Sequence, residues 1–123
     1  MKRLAAIALL GALLAACGYK AVDVKHIAPT NYRDQIALML AHALPDPVGI
    51  RDATVGDPMR IGEGPYYVCL RYRMRGSQPK EQAAFFFNGQ VNQLVDATPE
   101  LCGKAAYKPY PELEKLCQGT KCV

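Results

Sequence analysis

From Tyr66 to Arg75 the side chains alternate without a break: Tyr66, Val68, Leu70, Tyr72 and Met74 are apolar or aromatic, and Tyr67, Cys69, Arg71, Arg73 and Arg75 fill the positions between them. A period of two over ten residues fits a β-strand, whose successive side chains point to opposite faces, and fits no helix. One face must be covered, while the other ends in a row of guanidiniums. Beyond the polar connection Gly76 to Gln82, Ala83–Phe87 predicts a second strand whose three phenylalanines need cover on both sides if they are not to form an aggregation-prone edge. Asn88-Gly89 is the strongest hairpin signal in the chain and returns it through Gln90 to Val95. At least three consecutive antiparallel strands follow. Ile50 to Val55 predicts a short edge strand before the Asp57-Pro58 break, and Gly62-Glu63-Gly64-Pro65 a loop.

The cover for the apolar face is a helix after Pro29. Thr30 or Asn31 is its N-cap, Asp34 lies in its first turn, and Tyr32, Ile36, Met39, Leu40 and Ala43 recur on one side. It stops at Leu44, since Pro45 and Pro47 forbid continuation and Asp46-Pro47 reads as a turn. Thr98-Pro99-Glu100 and Tyr110-Pro111-Glu112 open two short helices with proline at the first helical position; the second makes one or two turns to Leu116, ended by Gly119. The expected fold class is α+β: one N-terminal helix on a small antiparallel sheet of three to four strands, with a disulfide-pinned C-terminal segment.

Lys2 and Arg3 precede an apolar run of 11 residues, Leu4 to Leu14, and then Ala15-Ala16-Cys17, the layout of a secretory leader and too short for the roughly 20 residues of a membrane span. Leu14, three positions before the cut, argues against an ordinary signal peptidase site. Leu14-Ala15-Ala16-Cys17 resembles a bacterial lipobox. The resemblance implies cleavage before Cys17, a diacylglyceryl group on its thiol and acylation of the new amino group. Gly18 in place of aspartate resembles outer-membrane lipoproteins and implies anchoring there, facing the periplasm, with inner-membrane retention left open. The chain divides into a signal peptide (1–16), a lipidated tether (17–29) with a short edge strand at Val22–Val24, and a single α+β domain (30–123). The 12 residues from Gly18 to Pro29 reach about 40 Å when extended, which keeps the domain near its membrane. Asp46-Pro47-Val48-Gly49-Ile50-Arg51-Asp52-Ala53 with the Cys69 strand is similar to a pattern in small proteobacterial envelope lipoproteins, a resemblance that brings no activity with it.

Without residues 1–16 the chain keeps 107 of its 123 residues, enough for one core. Losing Lys2 and Arg3 leaves 13 basic against 11 acidic side chains, a balance that gives no reason for a nucleic-acid partner. With Cys17 lipidated, Cys69, Cys102, Cys117 and Cys122 are an even set in an exported chain, which predicts two disulfides in an oxidising periplasm. Three connectivities are possible. Cys69–Cys102, joining a strand to the loop beyond the hairpin, and Cys117–Cys122, a local clip, are preferred.

The motifs that carry enzymatic chemistry are not met. Gly62-Glu63-Gly64 is followed by proline, which breaks the helix a phosphate loop must open. His26 and His42 lack the spacing of paired metal ligands, and His42 near a helix C-terminus is explained by the favourable charge there. No metal, cofactor or catalytic residue is assigned. The acidic pairs Glu112 and Glu114, or Asp52 and Asp57, would signal catalysis only if they, or Glu63, met a histidine in a cleft. Arg71, Arg73 and Arg75, with Tyr67 at the strand start and Lys80 beyond it, form the candidate anion-binding face, guanidiniums 6–7 Å apart (about two strand residues) that suit an anionic polymer or headgroup. The plainer reading of the same row is a solvated face whose arginines pair with acids across strands and keep the edge soluble. The expected role is a non-enzymatic binding or structural module whose partner is an envelope protein or anionic polymer; the alternative is an inhibitor of, or enzyme on, cell-wall substrates.

Overall fold

The computed structural model describes residues 26–45, 47–118 and 121–122. The lipobox, Cys17, Val22–Val24 and Gly119 lie outside the described residues.

Helix α1 spans Tyr32–Ala43, with Asn31 as N-cap, Leu44 as C-cap, Asp34 in the first turn and His42 in the last. Its buried stripe is Ile36, Ala37 and Leu40, with Tyr32 packed beside it. Ala37 takes the place expected for Met39 and Ala43 because the sheet meets the side of the helix centred on the 32–36–40 row. The Asn31 side chain does not cap a backbone N–H. Its Oδ1 accepts from Gln35 Nε2 at 2.7 Å, and the same Gln35 amide donates to Gly89 O at 2.8 Å and accepts from Val91 N at 2.8 Å. One side-chain amide thus occupies a backbone group of the hairpin turn and one at the start of the sheet's outer strand, which blunts that end of the edge against pairing with another chain.

The strands are β1 (Arg51–Val55), β2 (Met59–Arg60), β3 (Tyr66–Arg73), β4 (Lys80–Phe87), β5 (Gln90–Asp96) and β6 (Lys108–Pro109), all in one antiparallel sheet of order β5-β4-β3-β1-β6, with β2 on the remaining length of β3's edge. The α+β class and the antiparallel sheet are as expected. The sheet has six strands instead of three to four, and the helix starts at residue 32, not at the chain's N-terminus. Two of the extra strands are two residues long, too short to show a period, and β6 ends in Pro109, tolerated because this strand forms an edge. β1 is not an edge: β6 pairs along its far side through Thr54↔Pro109 and Val55↔Lys108. β4 begins at Lys80, three residues before the expected Ala83. Its polar start is held by side chains, Glu81 on Arg71 and Gln82 Oε1 accepting from the Tyr72 hydroxyl at 2.6 Å, which strand propensity does not register. Asn88 and Gly89 both have positive φ (52° and 74°), the hallmark of a type I′ hairpin turn.

Both sheet faces are covered near the middle of β3, where Tyr67, Val68, Cys69 and Leu70 are all buried. On the helix face, Val68, Leu70, Tyr72, Ala84 and Phe86 pack with Ile36, Leu40, Val55, Tyr110 and Leu113. On the outer face, Tyr67, Cys69 and Ala83 lie beneath the crossover from β5 to β6, which supplies Leu101, Cys102, Ala105 and Tyr107. Full burial of a side chain such as Phe86 contributes about 1.5–3 kcal/mol. Phe85 and Phe86 divide between the two layers, the cover their sequence demanded.

The crossover holds α2 (Pro99–Cys102), capped by Thr98 Oγ1 accepting from Leu101 N at 3.2 Å, and leads to α3 (Pro111–Leu116). The Cys69–Cys102 disulfide pins it to β3, as expected. Arg33 of α1 ties the C-terminal segment down: Nη2 donates to Pro109 O at 2.7 Å and to Glu112 Oε1 at 3.0 Å, and Nε lies 2.6 Å from Glu112 Oε2. The Tyr110 hydroxyl donates to the Arg33 carbonyl. β7 (Cys117–Gln118) and β8 (Lys121–Cys122) pair antiparallel, with Cys117 opposite Cys122 in the backbone register. The side chains of these two cysteines, and so the expected second bridge, lie outside the described residues.

Candidate functional site

Among the described residues, a cleft of about 340 Å³ opens at one end of the sheet, and three arginines line it. It lies where β1 begins and β3 ends, lined by Arg51, Arg73, Met74, Arg75, Gly76 and Ser77. Two irregularities of the backbone build it.

The first is a bulge in β1. Arg51 pairs with Arg73 and Thr54 with Arg71, so Asp52 and Ala53 together oppose the single residue Tyr72. Residues directly opposite in an antiparallel pair share a face. Ala53 and Val55 are buried against the helix side, and strict alternation would send Arg51 there as well. The extra residue turns Arg51 to the outer face, beside Arg73. Asp52 adopts positive φ (54°), a conformation aspartate tolerates better than most residues, and its Oδ2 lies 2.7 Å from Arg73 Nη2.

The second is the turn that ends β3. Ser77 N donates to Met74 O at 3.0 Å across Arg75 and Gly76, and Gly76 has φ of 72°, the positive value that the third position of a type II turn requires. The strand therefore stops at Arg73, and Arg75 belongs to the turn. Met74 packs partly against the core below.

The expected row of Arg71, Arg73 and Arg75 is thus split. Arg73 and Arg75 meet at the cleft, with Arg51 as their third partner. Arg71 points along the covered part of the outer face, its guanidinium 4.0 Å from the centre of the Tyr107 ring and its Nε 2.7 Å from Glu81 Oε2. The Glu81 hydrogen bond pushes the Arg71 pKa above its ordinary value, and burial, with the Glu81 charge, pushes the Tyr107 hydroxyl up. Arg71 is thus paired with an acid on a neighbouring strand, and so is Arg73, whose partner is Asp52; what separates the two is that only Arg73 lines the cleft. Tyr67 is buried under the crossover, its hydroxyl donating to Leu101 O at 2.8 Å, and Lys80 is the exposed first residue of β4. Arg51 was not legible as a site residue, because its position beside Arg73 depends on strand pairing and on the bulge; the one local signal was an acidic residue tolerant of positive φ directly after it.

Three of the candidate carboxylates are held in ion pairs, Asp52 at the cleft and the other two away from it. Asp57 pairs with Lys108 at 3.4 Å, Glu112 with Arg33, and Asp52 with Arg73. His26 packs against the Phe87 ring at 6.0 Å, while His42 is exposed in the last turn of α1. Among the described residues no group of three or more histidine, cysteine, aspartate or glutamate side chains is arranged to hold a metal ion. Compared with known protein families, with curated proteins and with solved structures, the chain matches none.

Proposed function

We propose that this protein is a lipid-anchored bacterial envelope lipoprotein whose α+β domain serves as a non-enzymatic binding module on the periplasmic side of the outer membrane. The lipobox-like Leu14-Ala15-Ala16-Cys17 supports the address. The observation that carries the binding role is the cleft at the end of β1 and β3, where Arg51, Arg73 and Arg75 face solvent around one concave surface. Guanidiniums so placed recognise anionic groups. Catalysis is less well supported, since Asp52 and Asp57 are both held in ion pairs with cations.

The test joins address and binding. Intact mass of the mature protein is expected to show a chain beginning at Cys17 with two or three acyl chains, which at about 0.8 kcal/mol per buried methylene give a stable anchor. Affinity capture of the lipidated protein from envelope is expected to retain a component that the Arg51→Gln/Arg73→Gln/Arg75→Gln variant releases. An unacylated mature chain, or a Cys17→Ser variant that remains in the membrane fraction, overturns the anchor; equal capture by both proteins overturns the binding role of the cleft.

A further inference from the structure

We infer that the cleft between β1 and the β3–β4 turn is a binding site for a phosphomonoester, the terminal dianionic phosphate of a lipid headgroup or of a soluble sugar phosphate. The inference rests on the binding-module reading above and specifies its ligand.

Charge selects the class of anion. Arg51, Arg73 and Arg75 bring three positive charges to the cleft and Asp52, paired with Arg73, returns one negative charge, leaving a net of +2. A phosphomonoester carries about −1.5 to −2 at neutral pH and three strong acceptor oxygens, so it neutralises the site. A carboxylate or a phosphodiester, with a single charge, leaves one guanidinium uncompensated. Guanidiniums also match phosphate oxygens in shape, donating in parallel pairs from a planar fork.

The backbone supports the same conclusion. Arg51 directly opposite Arg73 is a like-charge cross-strand pair, which is unfavourable on its own. The bulge that creates this pair also holds Asp52 in the left-handed region, so two unfavourable features coincide at one end of one strand. A dianion seated between the guanidiniums turns the first of these into an attraction. Ser77 adds a hydroxyl donor, and Met74 an apolar wall for the carbon that bears the phosphate. A cleft of about 340 Å³ is at the small end for ligand sites, right for a headgroup rather than for a length of polymer.

Isothermal titration of the full mature chain in maltoside micelles tests this, with glucose 1-phosphate as the soluble probe, phosphatidic acid in the micelle as the lipid probe, and dimethyl phosphate as the monoanionic control. Saturable binding of at least one monoester is expected, with dimethyl phosphate weaker by about tenfold or more. Arg51→Gln, Arg73→Gln and Arg75→Gln are each expected to weaken monoester binding about tenfold or more, the scale of one lost charge-assisted hydrogen bond, and Arg71→Gln to leave it within about twofold. Tighter binding of phosphatidic acid than of glucose 1-phosphate assigns the lipid source, and the reverse order a soluble one. Absence of saturable binding to both monoesters, equal affinity for the diester, or a loss in Arg71→Gln equal to that in Arg51→Gln overturns the site. If both monoesters fail while the anchored protein still captures an envelope component, the phosphate site falls and the binding module stands. If a monoester binds to a mature chain that lacks lipid, the anchor falls and the site stands.

Discussion

Arg51 and Arg73 lie opposite one another on neighbouring strands, on the same face, with the Asp52 carboxylate 2.7 Å from Arg73. Like charges in this position destabilise a sheet by about 0.2–1 kcal/mol, and the side chains are exposed enough for salt to screen the effect. Arg51→Gln is therefore expected to raise the melting temperature slightly at low ionic strength and to leave it unchanged at high salt. Asp52→Asn, which keeps a residue suited to positive φ but removes the countercharge, is expected to lower it at low salt. Thermal melts at two salt concentrations decide this; a loss of stability in Arg51→Gln at low salt contradicts the like-charge relationship.

The left-handed conformation of Asp52 makes a separate prediction. Asp52→Gly relieves the backbone at the loss of an exposed ion pair contributing below about 1 kcal/mol, so its stability stays within about 1 kcal/mol of the parent. Asp52→Val places a β-branched residue at positive φ and is expected to cost about 1–3 kcal/mol. Urea denaturation of the two variants should separate them in this order, and equal midpoints speak against a strained bulge.

The Cys69–Cys102 bridge, with a sequence separation of 33, fastens the outer-face crossover to the most buried strand. On the loop-entropy account it contributes about 3.5–4 kcal/mol, an upper value. A Cys69→Ala/Cys102→Ala variant is expected to lose stability of that order, in a denaturation curve measured without reductant, with Tyr67 and Tyr107 becoming more exposed as the crossover loosens. Non-reducing peptide mapping of the parent is expected to recover Cys69 with Cys102 and Cys117 with Cys122. Recovery of Cys117 or Cys122 joined to another cysteine contradicts the local clip.

Alkaline pH should unfold this domain through its tyrosines. Burial raises the hydroxyl pKa of Tyr110 strongly, and raises that of Tyr72, above the ordinary 10.0. Below pH 10 these groups are protonated in both states and their stabilisation is fully present. Above it the unfolded chain releases protons that the folded chain retains, so stability falls as pH rises, by up to ~1.4 kcal/mol per pH unit for each group held protonated. Tyr110→Phe is expected to flatten the alkaline limb of the stability curve while costing about 1–3 kcal/mol at neutral pH, because the Arg33 carbonyl loses its donor. A variant with an unchanged alkaline slope rules Tyr110 out as a source.

Much of the architecture was legible in residues that act over short range. The period of two in Tyr66–Arg73, positive φ at Asn88-Gly89, the stop at Leu44 and the proline-led starts at Pro99 and Pro111 are each decided by local sterics and side-chain alternation, which a sequence displays directly. The pairing of Cys69 with Cys102 could be preferred because it joins a central strand to the loop past its hairpin. Tertiary structure decided the rest. Lys80-Glu81-Gln82 became strand because Arg71 and Tyr72 stood opposite to receive it, and β6 formed because the crossover brought Lys108-Pro109 to the free side of β1. The candidate site draws on both kinds, since Arg73 and Arg75 stood in the row that spacing marked while the loss of Arg71 and the entry of Arg51 came from the tertiary structure. Arg71, Arg73 and Arg75 are equivalent by spacing, yet Arg71 is drawn to Tyr107 and Glu81 while Arg51, 22 positions before Arg73, is brought beside it by strand register and turned outward by one extra residue. Register and bulges are set by the packing of whole strands, so which arginines converge on the cleft was decided by the sheet and not by their spacing in the chain alone.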